Sequence, residues 1–217
     1  MKTKNFTLAA AVAAIFSTGF SSCSSSDDDI SSNNNQVTET NVVADDASAL
    51  SLVNGVYSHW QPLSSSFSFI IELNSNKLTS FEGEENEAGP VNSRFEQEPT
   101  TWYQVKIFNH LLLGIAQDNE AITTINNSLQ AGKVTQAGYN AAVGKAKFLR
   151  ALAYLKLVQL WGEVPVFTEN GGSTTERKSI NEVFNQIVSD FTDAESLLKD
   201  YDGDPRIPSK QAAQALL

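Results

Sequence analysis

The most constraining feature of the sequence is a nearly uninterrupted apolar run over residues 148–161. Only Arg150, Lys156 and Gln159 are polar within it, so a helix here is apolar around most of its circumference. A helix that crosses a membrane needs about 20 apolar residues and avoids charge. This run is shorter and contains two cations. It therefore predicts a helix that is buried on several sides at the centre of a globular core.

The residues of this run and those after it indicate how the helix packs and where it ends. The small Ala151 and Ala153 allow neighbouring helices to approach closely. Gly162 is expected to end the helix with a positive φ, and Pro165 prevents the helix from resuming. The chain should then continue as an extended segment over residues 163–167. The side chains expected to fill the core are Phe148, Leu152, Leu155 and Trp161.

The N-terminus has the organisation of an export signal. Lys2 and Lys4 precede an apolar stretch over residues 6–16, which is the order of regions in a secretory signal peptide. The stretch is too short to span a membrane by itself. Residues 1–22 are therefore predicted to be a signal peptide that is removed from the mature protein.

The single cysteine of the chain, Cys23, directly follows this signal. One cysteine cannot form an internal disulfide, and its position fits lipidation of a new N-terminal residue. Ser21 and Ser22 are the small residues that precede a lipidated cysteine, although Phe20 stands where leucine is usual. Ordinary cleavage that leaves Cys23 as a free thiol is the alternative. A lipid chain would hold the protein on a membrane, because each buried CH₂ group contributes about 0.8 kcal/mol.

Residues 23–43 are predicted to be a flexible acidic tether. Serine, aspartate and asparagine dominate residues 24–35, and this composition cannot bury enough apolar surface to fold. A helix is expected next. Asp45 or Asp46 can cap it, apolar residues recur at helical spacing, and Pro62 is expected to close it.

The segment over residues 61–99 lacks a clear period and is predicted to be a long functional or mobile excursion. Its acidic residues are Glu82, Glu84, Glu85 and Glu87. Two explanations of these glutamates are calcium binding and an acidic loop exposed to solvent. The loop is favoured because the Asp/Asn spacing of a known calcium site is absent. Aromatic faces cover the apolar hydrogens of sugar rings, while amide and guanidinium groups meet hydroxyls. The candidate ligand-binding residues are Phe81, Asn92, Arg94 and Phe95, for which packing on the helical layer is the alternative.

Caps and apolar spacing predict the remaining helices. Thr101 with Gln104 forms a capping box before one long helix, or two short ones interrupted at Asp118, that ends near Gly132. Thr135 begins the helix that includes the central run.

Two more helices follow the extended segment. Ser179 with Glu182 forms a second capping box, and Ser209 caps a last helix over residues 210–217. The face of the first of these helices that is expected to be buried comprises Val183, Ile187, Phe191, Ala194 and Leu198.

Several function classes are disfavoured by the sequence. A net charge of −10 repels nucleic acid. His59 and His110 are the only histidines, so a metal site is disfavoured and no cofactor is expected. No G-x-S-x-G, H-E-x-x-H, P-loop or paired-cysteine motif is present, and no catalytic residue is assigned. The sequence therefore predicts a protein that is not an enzyme.

Consecutive long amphipathic helices predict an all-α fold, built as a helical repeat or bundle layer. The order Arg150-Ala151-Leu152-Ala153-Tyr154, then Leu157-Val158, then residues 161–166 resembles the core motif of the SusD/RagB family of Bacteroidetes surface lipoproteins. Further matches to this family are Asn54-Gly55-Val56-Tyr57, the trio Trp102, Ile107 and Asn119, and the helix after Ser209.

The resemblance implies a fold and a function. The fold is a tetratricopeptide-like helical layer with long irregular loops, over residues 44–217, and it is expected to be incomplete at the C-terminus because family members are longer. The implied function is to bind a nutrient, in the first place a glycan or oligosaccharide, at the outer membrane through a lipid anchor. The implied partner is a SusC-like TonB-dependent transporter. A helical scaffold for protein–protein interaction and a secreted hydrolase are the alternatives.

Overall fold

The computed structural model describes residues 42–74, 102–169, 171–172 and 175–217. Predictions for the signal peptide, Cys23, the acidic glutamates and the four candidate ligand-binding residues lie outside these ranges. The all-α prediction is confirmed, with one short antiparallel strand pair in the described part of the chain. The elements are α1 (Asp46–Asn74), α2 (Trp102–Gln130), α3 (Gln136–Trp161), β1 (Val164–Pro165), β2 (Arg177–Lys178), α4 (Ile180–Leu197) and α5 (Lys210–Gln214).

Helix α1 begins where the sequence predicts and continues further than predicted. The Asp45 carboxylate accepts a hydrogen bond from the Ser48 backbone N–H at 2.8 Å, while the Asp45 N–H donates to Ser48 Oγ at 3.0 Å. The Ser48 hydroxyl also donates to the Asp45 carboxylate, at 2.7 Å, and this bond, followed by the one from the Ser48 backbone N–H, lowers the pKa of Asp45. The prediction that Pro62 ends the helix is wrong, because α1 runs on to Asn74. A proline removes one backbone hydrogen bond at a cost of about 3 kcal/mol, which the turns on both sides can outweigh.

The core extends slightly beyond the N-terminal end of the predicted helical domain. Val43 is fully buried, and its carbonyl accepts a hydrogen bond from Ser128 Oγ at 3.3 Å. The buried part of the chain therefore includes Val43, which was predicted to belong to the tether.

Helix α2 is continuous through Asp118, so the alternative of two short helices is wrong. Its buried apolar residues include Ile107, Leu111, Ile115 and Ile125. Asp118 and Asn119 lie in the core as well, each 1% exposed. The polar pair interrupts the apolar spacing without interrupting the helix, because neighbouring helices cover it.

Helix α3 is the central helix, as predicted. Its buried residues extend around the helix from Ala142 to Val158. Leu149, Tyr154 and Leu157 provide most of the large buried side chains. Leu152 and Leu155, which the sequence assigns to the core, are only partly buried and pack against its edge.

The end of α3 also follows the prediction. Gly162 has φ of 70°, and its N–H donates to the Val158 carbonyl at 3.0 Å. An L-residue rarely adopts this φ, which explains the glycine. The extended segment then contains β1, which pairs with β2 so that Val164 is opposite Lys178 and Pro165 is opposite Arg177.

The N-terminal ends of α1 and α3 are joined by side-chain hydrogen bonds. Thr135 caps α3, and both its N–H and its hydroxyl donate to the Asp46 carboxylate, at 2.7 Å and 2.6 Å. A Cβ atom at Gly138 would lie 2.1 Å from the Asp46 carboxyl carbon. Only glycine allows the two helix ends to approach this closely.

Helices α4 and α5 complete the described fold. The capping box of α4 is present, with Glu182 N–H donating to Ser179 Oγ and Ser179 N–H donating to the Glu182 carboxylate. The predicted apolar face of α4 is buried, with Leu198 partly buried. Ser209 caps α5 as predicted, but the helix ends at Gln214 rather than Leu217. Leu216 and Leu217 are exposed, so no packing extends this short helix. Across the described ranges, no helix has both the length and the apolar character of a membrane span.

Candidate functional site: a buried charge cluster and the segment it holds

The strongest concentration of polar chemistry in the described structure is a buried cluster where α2, α3 and α4 meet. Arg150 on α3 donates two hydrogen bonds to Asp190 on α4, from Nε at 2.8 Å and from Nη2 at 2.6 Å. Arg150 Nη1 donates to the side-chain oxygen of Asn119 on α2 at 2.6 Å. Gln186 adds a hydrogen bond to the Asp190 carboxylate at 3.0 Å. The cluster therefore links three helices through one guanidinium group.

The same residues bind the backbone that follows β1. The Asn119 amide nitrogen donates to the carbonyls of Phe167 and Glu169, at 3.1 Å and 3.4 Å. Arg150 Nη1 also donates to the Thr168 carbonyl at 3.3 Å. Three consecutive carbonyls are therefore turned toward the cluster, which fixes the position of this segment against the helices.

Tyr154 binds both backbone groups of Phe167, the first residue of this segment. Its hydroxyl donates to the Phe167 carbonyl at 2.8 Å and accepts from the Phe167 N–H at 2.9 Å. Burial raises the pKa of Tyr154 to about 12, although the hydrogen bond with Phe167 and the charge of Arg150 act in the opposite direction. The tyrosine therefore stays protonated and keeps both hydrogen bonds at physiological pH.

Among the described residues of the cluster, Asp118 is the member whose charge is not balanced by a cation of its own. Both of its carboxyl oxygens are buried and have no hydrogen-bond partner among the described residues. Burial raises the pKa of Asp118 well above its usual value; the Arg150 charge opposes this shift, and the Asp190 charge adds to it. The guanidinium is already paired with Asp190, so one positive charge serves two carboxyl groups. Charge balance therefore favours a proton on Asp118.

The cluster can position backbone but offers little for catalysis. Burial by itself would lower the pKa of Arg150, but its hydrogen bonds and ion pair with Asp190 outweigh burial and raise it. An arginine and a carboxylate that satisfy each other are poor proton donors and acceptors. Arg150, Asp190, Asn119 and Tyr154 are therefore positioning residues in this structure.

A surface groove beside α3 is the other candidate for a binding site. It has a volume of about 100 Å³ and includes Lys145, Asp200, Asp202 and Ser209 in its lining. Lys145 Nζ donates to the Asn54 side-chain oxygen at 2.6 Å and lies 4.6 Å from the centre of the Tyr57 ring. Pockets that bind small molecules usually measure about 300–1,000 Å³. The groove is too small to enclose an oligosaccharide.

The outer face of α4 carries three exposed apolar side chains. Ile180, Phe184 and Val188 recur every four residues, and each leaves more than two fifths of its surface exposed. Residues four apart lie on the same side of a helix, so the three side chains form a stripe, named here the α4 stripe. Such a stripe on a surface helix can serve as a contact for another protein.

The sequence could have indicated the charge cluster in advance. Asp190 falls among Ile187, Phe191 and Ala194 on the apolar face of α4, and Arg150 falls in the apolar run. A carboxylate and a cation on faces predicted to be buried are expected to pair. Which two residues pair depends on how the helices pack, and no local pattern reports that arrangement.

Comparison with known proteins identifies a protein family that the chain matches. Residues 29–217 match the profile of the SusD-like family that is described as starch-binding and associating with the outer membrane. No curated protein matches the chain.

Solved structures share the helical fold. A SusD homolog from Bacteroides thetaiotaomicron VPI-5482 is 21% identical, with a TM-score of 0.61, over 82% of this chain and 36% of that one. A SusD superfamily protein from Parabacteroides distasonis ATCC 8503 is 24% identical, with a TM-score of 0.64, over 79% of this chain and 38% of that one. A SusD-like protein described as laminarin-binding is 22% identical, with a TM-score of 0.66, over 78% of this chain and 38% of that one. The chain thus spans less than two fifths of the length of these three proteins.

Proposed function

The chain belongs to the SusD-like family, and on this premise we propose that it captures a glycan at the outer membrane for uptake into the cell. The observation that carries the proposal is the match of residues 29–217 to a family described as starch-binding and associating with the outer membrane. One structural neighbour is described as binding laminarin, a polysaccharide, which supports a glycan as the ligand class.

The proposed role is binding without catalysis. The buried charge cluster holds backbone in place, and the groove beside Lys145 is too small for an oligosaccharide. The ligand is therefore proposed to contact Phe81, Asn92, Arg94 and Phe95, which combine aromatic faces with hydrogen-bonding groups. A secreted hydrolase is the alternative that product analysis tests.

The proposed location is the outer membrane, through a lipid on Cys23 and a tether that ends before the buried Val43. Cys23 is the only thiol, and it follows the predicted signal peptide. Replacing Cys23 with alanine should release the protein from membranes into the aqueous phase of a detergent partition. Retention in the detergent phase would contradict lipid anchoring at this position.

The proposed partner is a SusC-like TonB-dependent transporter, because a ligand captured outside the cell must be carried inward. The α4 stripe supports a protein contact on the helical layer. If the stripe serves instead as a general protein-binding surface, the chain is a helical scaffold. Co-purification from native membranes in mild detergent distinguishes a large barrel from other partners.

Calorimetric titration tests glycan capture directly. Laminari-oligosaccharides and malto-oligosaccharides are titrated into the wild-type protein and into an Arg94→Ala/Phe95→Ala variant. Binding by the wild type and a clear loss in the variant are expected. Phe184→Ala, which removes an exposed aromatic from α4, is the matched control and should bind as the wild type does. Chromatography of the same mixtures should show uncleaved sugars, and shorter products would favour the hydrolase.

A further inference from the structure

The only two histidines of the chain lie next to each other in the folded protein. His59 on α1 and His110 on α2 have ring centroids 5.8 Å apart and planes tilted by 53°. They are separated by 51 positions in the sequence, so their approach is a product of the packing of α1 against α2. Both residues are partly buried.

One nitrogen of this pair is unsatisfied. His110 Nδ1 is buried and has no hydrogen-bond partner among the described residues. Buried polar atoms in folded proteins nearly always have a partner, and an exception calls for an explanation such as a bound water or an ion. Aromatic packing accounts for the distance between the rings, but it does not satisfy this nitrogen.

We propose that His59 and His110 bind one divalent transition-metal ion, with one nitrogen of each ring as a ligand. A metal ion lies about 2.1 Å from an imidazole nitrogen, so two rings that share an ion have centroids no more than about 6.5 Å apart. The observed separation of 5.8 Å is within this limit. The site is independent of the proposed glycan-binding function and joins two helices of the scaffold.

The ligand chemistry selects the class of metal. Imidazole suits copper, nickel and zinc, whereas calcium and magnesium require oxygen ligands. No group of three or more His, Cys, Asp or Glu residues that could hold a metal occurs within the described ranges. Among the described residues, the protein ligands of this ion are therefore the two imidazole rings, and water is proposed to complete the coordination. Cu²⁺ should bind most tightly, as it does at most nitrogen sites.

Metal titration of the full chain tests the site. After treatment with EDTA and gel filtration, the protein is titrated by calorimetry with CuCl₂, NiCl₂ and ZnCl₂. One Cu²⁺ per chain is expected, with weaker binding of Ni²⁺ and Zn²⁺. His59→Gln and His110→Gln should each weaken Cu²⁺ binding by about tenfold or more, because each removes one of two protein ligands.

Matched controls separate this site from other metal-binding groups. Ser58→Ala and Asn109→Ala change exposed neighbours of the two histidines and should leave the affinity unchanged. Cys23→Ser removes the only thiol and should also have no effect. Loss of binding in Cys23→Ser, or unchanged binding in both histidine variants, would overturn the proposal and leave the two rings as an aromatic contact only.

Two further readouts keep the test independent of variant folding. The electron paramagnetic resonance spectrum of Cu²⁺ bound to the wild type should show two coordinated nitrogens. An ion that binds only the folded state raises the melting temperature, so Cu²⁺ should raise it in the wild type and not in either histidine variant. A spectrum without nitrogen ligands would overturn the proposal. Glycan titrations of the same variants should be unchanged, so failure of this site and failure of glycan capture are distinguishable.

Discussion

Two ion pairs connect α3 to α4, and they lie in opposite environments. Arg150 and Asp190 form the inner pair, with 6% and 1% of their side-chain surfaces exposed. Lys147 and Asp193 form the outer pair, less than one helical turn away on each helix, with 21% and 47% exposed. The same two helices therefore carry a desolvated pair and a solvated pair within a few residues.

The difference shows what a buried charge requires from its surroundings. Arg150 uses three of its nitrogens, and its partners come from α2, α4 and the segment after β1. Lys147 contacts Asp193, and water can solvate both groups. In water the attraction between two charges is small, whereas a buried charge without a partner costs several kcal/mol. The inner pair is therefore expected to be structurally critical and the outer pair nearly neutral.

The largest effect is expected from breaking the inner pair. Arg150→Met should lower the free energy of unfolding by about 3–5 kcal/mol, because it leaves Asp190 buried without its cation. Urea denaturation measures the change. The double variant Arg150→Met/Asp190→Leu removes both charges and should recover much of the loss. If the double variant is as unstable as Arg150→Met, the uncompensated charge is not the cause.

The apolar core around the inner pair gives the next largest effect. Leu157 on α3 is fully buried, and Leu157→Ala should cost about 2–5 kcal/mol. Leu152→Ala and Leu155→Ala should cost less, because these side chains are only partly buried. Val188→Ala in the α4 stripe is the control and should change stability by less than about 0.5 kcal/mol. Equal denaturation midpoints for the Leu157 and Val188 variants would contradict the central position of α3.

The buried Asp118, next to the inner pair, should make the stability of the protein depend on pH. Its folded-state pKa lies above the unfolded value, so its contribution to stability is fully present below the unfolded pKa and is lost as pH rises through the folded one. Asp118→Asn cannot ionise, and it should exceed the wild type in stability by about 1 kcal/mol or more at pH 7. The difference should shrink as pH approaches 4. Thermal melts of both proteins from pH 4 to 8 measure this dependence, and parallel curves would show that the folded and unfolded proteins bind the Asp118 proton equally.

The smallest effect is expected for the outer pair. Lys147→Ala should lower the free energy of unfolding by about 0–1 kcal/mol, because exposed ion pairs contribute little and salt screens them. Denaturation at low and high salt measures both properties. A loss comparable to that of Arg150→Met would show that exposure does not decide the strength of these two pairs.

Local sequence patterns predicted much of the architecture. The caps at Asp45, Thr135, Ser179 and Ser209 are all present, since a cap depends on residues within one turn of itself. The buried face of α4 and the end of α3 at Gly162 were also predicted. The prediction at Pro62 is wrong because the cost of a proline is local, whereas the packing that stabilises α1 beyond Pro62 comes from the rest of the fold.

The site was less predictable than the fold. The four candidate ligand-binding residues, Phe81, Asn92, Arg94 and Phe95, stay predictions, as does lipidation at Cys23. The sequence disfavours a metal site because His59 and His110 are its only histidines, and it does not predict that the two are neighbours. Helices α1 and α2 bring them together, and neither residue has a sequence neighbour that predicts the approach.

By itself, the sequence determined the all-α class, the order of most helices and the central place of α3, because helical periodicity and capping are local properties of the chain. The tertiary structure alone decided the pairing of Arg150 with Asp190, the burial of Asp118 with no hydrogen-bond partner among the described residues, and the hydrogen bonds that hold residues 167–169. The physical reason is desolvation. The energy of a charge depends on every atom that excludes water from it, and those atoms come from helices that are distant in sequence.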